Sequence, residues 1–171
     1  MHSQIENQQS IHSFEPIIDE HSEVLVLGSI PGPESLRQRQ YYANTNNQFW
    51  RIIYSVFDSK SDDISEYSYD EKIRFLLDHK IALWDVFRSA DRSGALDADI
   101  KNPEVNDIHG LLAAHPRIKR ILLAGRAAEN AFRKHFSDIT IHAIYVPSAS
   151  SAYAKKSFDE KIADWKSALA R

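Results

Sequence analysis

Cysteine is absent from the 171 residues, which rules out a disulfide framework, a thiolate nucleophile, a cysteine-held iron–sulfur cluster and a cysteine-type zinc site. Eight histidines are present but scattered, without His-x-x-x-His or His-Glu-x-x-His spacing. The chemistry is therefore expected to run with no metal and no other cofactor. Long apolar runs are also missing: nothing approaches the roughly 18 residues of a membrane span. Met1 to Ser13 lacks a basic start followed by an apolar stretch, so no export signal is expected. These absences predict an intracellular, cytoplasmic protein with no membrane partner. An excess of basic charge is lacking too, since the net charge is −3 and the sequence pI is about 6.2. If the partner is nucleic acid, its phosphates must meet cations gathered locally. Arg37, Arg39 and Arg51, then Arg117, Lys119, Arg120 and Arg126, then Lys155 and Lys156 are the available groups, each of which also suits a solvated surface.

What is there is the composition of a packed domain. The chain is 43% hydrophobic and 11% aromatic with only 5 Gly and 6 Pro, and its length suits one domain. Residues 1–15 lack periodicity and read as a flexible arm, leaving 16–171 as the domain proper. Val24 to Leu27 is an unbroken apolar run of alternating β-branched Val and Leu ending at Gly28, as expected for a parallel strand covered on both faces. Phe49, Trp50, Ile53, Val56 and Phe57 recur at helical spacing, and Asp58 to Tyr69 reads as a polar connection.

Further on, Asp70 to His79 reads as a helix leading into the strand Ile81 to Trp84, and Asp85 to Asn102 reads as mostly irregular. A helix over Val105 to His115, a strand over Ile118 to Ala124 and a helix over Ala127 to His135 follow. A strand over Ile139 to Val146, a loop and a helix over Phe158 to Leu169 complete the chain. The alternation predicts an α/β fold, a three-layer α/β/α domain around a four-stranded mainly parallel sheet. Its ligand crevice is expected at the carboxyl ends of the strands.

The loops at those ends carry the residues that speak of chemistry. Gly28-Ser29-Ile30-Pro31-Gly32 is followed by Tyr41-Tyr42 and by Asn47-Gln48-Phe49-Trp50. Ala82-Leu83-Trp84-Asp85-Val86-Phe87, Arg92-Ser93-Gly94-Ala95-Leu96-Asp97 and Val146-Pro147-Ser148-Ala149-Ser150 come after. Taken in this order, from about residue 14 to the end, the blocks resemble the uracil-DNA glycosylase superfamily, and most closely its hypoxanthine (deoxyinosine) branch. One Gly-x-x-Pro-Gly loop is a weak signal, whereas several ordered blocks are a strong one.

The resemblance implies a monofunctional base-excision enzyme acting as a monomer on DNA that contains deaminated bases, hypoxanthine first and uracil second. Such an enzyme flips a nucleotide into a pocket, stacks and hydrogen-bonds the base, and helps water displace it. Asn47 then matches the catalytic asparagine of the branch, and it also suits a helix N-cap. Ser29 stands where several sister branches carry Asn or Asp, which makes it the second catalytic candidate; no general base stands out. Tyr42, Ile30, Asn44 and Gly125 fall to base binding, and Pro147, Ser148, Ser150, Tyr153 and Lys155 to DNA binding. The chain departs from the branch at Asn44-Thr45, where His-Pro is usual. It departs again at Ala124, where relatives often carry an asparagine that can meet the base edge.

Two other classes compete. A DNA-binding module that has kept the fold without efficient catalysis is motivated by Ser29, Asn44 and Thr45. A nucleotide-binding α/β domain is permitted by composition, but both Gly-x-Gly-x-x-Gly and the Gly-Lys-Ser/Thr phosphate loop are missing.

Overall fold

The computed structural model describes residues 9–57 and 63–170. In chain order the elements are β1 (Gln9–His12), β2 (Val24–Gly28), α1 (Pro33–Gln38), α2 (Phe49–Phe57), α3 (Tyr69–Asp78), β3 (Ile81–Asp85) and β4 (Phe87–Arg92). A 3-10 turn at Asp97–Asp99 precedes β5 (Ile100–Val105), α4 (Ile108–Ala114), β6 (Arg120–Ala124), α5 (Arg126–His135), β7 (His142–Val146) and α6 (Phe158–Leu169). No helix among the described residues is long and apolar enough to cross a membrane.

The central sheet has the order β3-β2-β6-β7 and is parallel throughout. Inner strand β2 is buried at every position, because side chains that alternate across the sheet meet helices on both faces. Leu25, Leu27, Ile121 and Leu123 pack with Ile108, Ala128 and Phe132 of α4 and α5. Val24, Val26, Leu83 and Leu122 face the other way, towards Phe49, Ile52, Ile53, Leu76 and Trp165 of α2, α3 and α6. This is the three-layer arrangement that the alternation of elements predicts.

Local chemistry sets the helix starts. Ser68 accepts from Glu71 N while Glu71 Oε2 accepts from Ser68 N, a capping box that begins α3. Gly125 begins α5 with φ +96°, a backbone conformation that a side chain would strain. Of the connection expected over Asp58 to Tyr69, residues 58–62 lie outside the described part of the chain.

Two expectations need correction. Asp85 to Asn102 is not irregular: β4 pairs antiparallel with β5 and with β1, giving a second sheet in the order β1-β4-β5. Edge strand β5 shows no hydrophobic period and contains Pro103, which an edge tolerates because one side of the strand needs no ladder donor. Nor is the arm over 1–15 loose along its described part. Gln9 to His12 pair with Ser89 to Arg92, Ile11 is buried in the core, and Ile17 exchanges both backbone hydrogen bonds with Leu83 on the outer edge of β3. Backbone pairing orders this segment, and a short polar strand leaves no mark in hydropathy.

Candidate active site

The carboxyl ends of β2, β3, β6 and β7 open onto one crevice of about 610 Å³. Ser29, Asn47, Gly125 and Ser148, drawn from four separate loops, all line it, as do Tyr42, Ile30, Asn44, Ser150 and Tyr153. Pro147 and Lys155 are not part of its wall. Pro147 faces inward at its carbonyl, which accepts from Trp165 Nε1 at 3.0 Å, and Lys155 is exposed on the surface beyond the loop.

Tyr42 forms part of the wall in a left-handed backbone conformation, φ 54°. Its ring stacks on Phe49 with centroids 4.1 Å apart and planes 23° from parallel. Phe49 is fully buried and packs edge-on against Trp165, so the tyrosine rests on a rigid base. Burial first, and then the charges of Asp85 and Asp97, push the Tyr42 phenol far above its ordinary pKa, and the hydroxyl stays protonated.

The position of Asn47 is compatible with both roles that the sequence offers as alternatives. Its Oδ1 accepts from Phe49 N at 2.9 Å, a cap on α2, while the residue lines the crevice. An amide has donors as well as an acceptor, and the cap uses only the oxygen. The backbone is held as well, since Asn47 N donates to Asn44 O at 2.9 Å and Gln48 N donates to Ala149 O at 2.9 Å. Beneath both loops lies Lys161, 2% exposed. Its Nζ donates to Gln48 Oε1 at 2.8 Å and to Ser150 O at 3.3 Å, and burial lowers the pKa of the ammonium. One buried lysine thereby ties the Asn47 segment to the Ser148–Ser150 loop.

Ser29 is committed to a partner that the sequence reading passes over. Its Oγ donates to Asp97 Oδ1 at 2.7 Å. Beside it the buried Arg92 donates from Nη2 to Pro31 O at 2.8 Å, fixing the Gly28–Gly32 turn from below. The charged residues of the wall are Glu34, Asp85 and Asp97 against Arg92 and Arg126, so the lining by itself is not cationic. At the lip, the Arg126 guanidinium sits 3.8 Å over the Tyr145 ring and pairs with Glu129.

The residue that sequence reasoning missed is Asp85. It ends β3 beside Gly28, lines the crevice and is 4% exposed. Ser13 Oγ donates to its Oδ2 at 2.8 Å. Burial pushes its carboxyl up to about 7, opposed by the Ser13 hydrogen bond and reinforced by the charge of Asp97. The signal was an acidic residue closing an apolar strand at the end where ligands bind. Asp97 carried a similar signal within its own block. Ser13 carried none.

A sequence profile described as the uracil DNA glycosylase superfamily matches residues 15–169. The chain is 37% identical over 115 residues to a protein of Methanosarcina acetivorans named hypoxanthine DNA glycosylase, covering 67% of this chain and 71% of that one. It is 39% identical over 113 residues to a protein of the same name from Methanosarcina barkeri, covering 66% and 70%. Among solved structures, the chain superposes on an NMR structure from Methanosarcina acetivorans described as a candidate uracil DNA glycosylase. The TM-score is 0.81 at 30% identity, over 94% of this chain and 97% of the other.

Proposed function

This chain belongs to the uracil DNA glycosylase superfamily, and on that premise we propose that it is a base-excision repair enzyme hydrolysing the N-glycosidic bond of deaminated bases flipped out of DNA. Hypoxanthine is its first substrate, by analogy with the relatives of that name, and uracil its second. The observation that carries this reading is the pairing of Tyr42 with Asp85 in one crevice. A ring backed by Phe49 gives a flipped base something to stack on, and the carboxyl beside it gives the base edge something to bond.

The transition state has an oxocarbenium-like sugar and a departing base that gathers negative charge, so useful groups orient water or donate hydrogen bonds to that charge. Asn47, with its oxygen spent on the cap, is suited to donate from Nδ2 to the attacking water or to the base. Ser29 acts with Asp97 as one hydrogen-bonded unit, in which Asp97 supplies a carboxyl oxygen that can accept a proton from water. Asp85 takes over the base-edge bonding that Ala124 cannot provide. Ile30, Asn44 and Gly125 shape the pocket, and Ser148, Ser150 and Tyr153 meet the backbone of the DNA, with Pro147 holding their loop and Lys155 outside it. No lysine lies between Gly28 and Trp50, which favours direct hydrolysis over imine chemistry. The enzyme is proposed to act as a monomer in the cytoplasm, at the nucleoid.

The test is incubation with duplexes carrying inosine, uracil or thymine opposite each base, followed by alkaline cleavage of abasic sites. Strand breaks at inosine support the reading. Intact strands despite measurable DNA binding point instead to a module that has lost catalysis.

A further inference from the structure

Ser13 sits just past β1, in the segment that sequence periodicity leaves out of the domain. Its backbone N donates to Arg88 O at 2.8 Å and its hydroxyl to Asp85 Oδ2 across 72 positions of chain. The residues that follow are fastened to the same floor: Phe14 O accepts from Trp84 Nε1 and Glu15 O accepts from Tyr41 OH, both at 2.9 Å. The other carboxyl oxygen lies on the crevice side. A Cβ built on Gly28 would fall 2.7 Å from Asp85 Oδ1 and 3.0 Å from Tyr42 OH. Gly28, Tyr42 and Asp85 all line the crevice, whereas Ser13 does not.

A carboxylic acid has one oxygen that carries the proton and donates, and one that is the better acceptor. A hydroxyl donating to Oδ2 therefore leaves the proton to Oδ1. Deamination replaces an exocyclic amino group, which donates hydrogen bonds, with a carbonyl, which accepts them. We propose that Ser13 is a positioning residue that keeps the Asp85 proton on the oxygen facing the flipped base, so that the pocket offers a donor to the carbonyl of a deaminated base and rejects the amino group of adenine or cytosine. This rests on the glycosylase reading above.

Other groups act on the same carboxyl. Asp97 approaches from the 3-10 turn and Tyr41 and Tyr42 from the loop before α2, while the guanidinium of the nearby Arg92 is engaged by Pro31 and faces Asp97 and Asp99 instead. Burial is the largest influence and favours the neutral acid, while Ser13 itself pulls the other way. Its contribution is thus to direct the proton, not to hold it. When Asp85 ionises, Oδ1 turns from donor to acceptor and the preference for carbonyl bases reverses.

The experiment measures single-turnover release of hypoxanthine and of adenine from matched duplexes between pH 5 and 9, together with NMR titration of the Asp85 carboxyl in the free protein. Wild-type release of hypoxanthine is expected to fall above the Asp85 titration, and Asp85→Asn to abolish that fall. Ser13→Ala is expected to move the Asp85 titration upward, slow hypoxanthine release roughly tenfold and narrow the margin over adenine. Ser13→Thr, which keeps the hydroxyl, restores all three, as a loss of folding would not. Wild-type protein that releases no base overturns the glycosylase reading and this inference with it. Active wild type with a Ser13→Ala variant unchanged in release, discrimination and Asp85 titration overturns this inference alone.

Discussion

Gly28 and Asp85 stand opposite one another at the ends of β2 and β3, and the space between them is too small for a methyl group: a Cβ on Gly28 would meet Asp85 Oδ1 at 2.7 Å. Gly28→Ala must displace the carboxyl or the Tyr42 hydroxyl behind it. Overpacking of this kind costs about 1–3 kcal/mol. The expected outcome is a variant that folds, by circular dichroism, with a lower thermal midpoint and base release reduced more than tenfold.

The cap and the proposed catalytic role of Asn47 can be separated by two substitutions. Asn47→Ala removes both cap and donor. It is expected to lower stability by about 1 kcal/mol and base release by two to three orders of magnitude, the effect of losing about 2–4 kcal/mol of transition-state hydrogen bonding. Asn47→Asp keeps an oxygen for Phe49 N and removes Nδ2. Its thermal midpoint is expected to match wild type while single-turnover release stays low; a variant with full activity would make the residue a cap alone.

Tyr42→Ala leaves Phe49 in place but takes away the ring proposed to stack on a flipped base. Stacking of a base on an aromatic ring contributes about 1–3 kcal/mol. Capture of the flipped nucleotide, followed by 2-aminopurine fluorescence beside the lesion, is expected to weaken accordingly, with binding to undamaged duplex little changed.

A buried carboxyl whose pKa rises on folding makes the protein less stable where it ionises. Between about pH 4, where the unfolded carboxyl loses its proton, and about pH 7, where the folded one does, Asp85 costs up to about 4 kcal/mol, fully felt above that window. Asp85→Asn has no such charge. Its thermal midpoint is expected to exceed that of wild type at pH 8, with the difference vanishing at pH 4.

DNA affinity must be built by a few cations on a chain of net charge −3, and the crevice wall adds carboxyls as well as guanidiniums. Binding to undamaged duplex is expected to be weak and to decline steeply with salt, with a slope set by the small number of phosphates neutralised. Fluorescence anisotropy across a salt series checks this, and a flat response would show that charge is not the source of affinity.

The parts of this architecture legible in the sequence are those where burial imposes a pattern. Strand β2 is covered on both faces and so reads as an unbroken apolar run, and helices α2, α3, α5 and α6 begin and end within a residue of where their spacing puts them, whereas α4 reads three residues too early, at Val105 of β5. Strand β5 is illegible for the opposite reason. Lys101, Asn102, Pro103 and Glu104 are exposed, and their order comes from backbone pairing with β4. The site divides in the same way. Tyr42, Asn47 and Ser148 sit in contiguous blocks that a reader recognises. The bonds from Ser13 to Asp85 and from Ser29 to Asp97 join residues 72 and 68 positions apart, and no local spacing encodes them. Pro147, read with Ser148 as a turn, and Lys155, read behind Tyr153, lie outside the crevice wall, the first buried and the second exposed.

The long span between Ser13 and Asp85 also sets an order of events during synthesis. A ribosome adding about 5–20 residues per second takes roughly 4–14 s to traverse 72 positions. Until β4 has been made, β1 lacks the strand it pairs with. Pairing β4 with its sequence neighbour β5 closes a short loop, whereas bringing β1 to β4 closes a long one at greater entropic cost. The β4–β5 hairpin can therefore close as soon as Val105 has been made, whereas β1 must wait for β4, so the Ser13–Asp85 bond depends on a contact formed late and across a long stretch of chain.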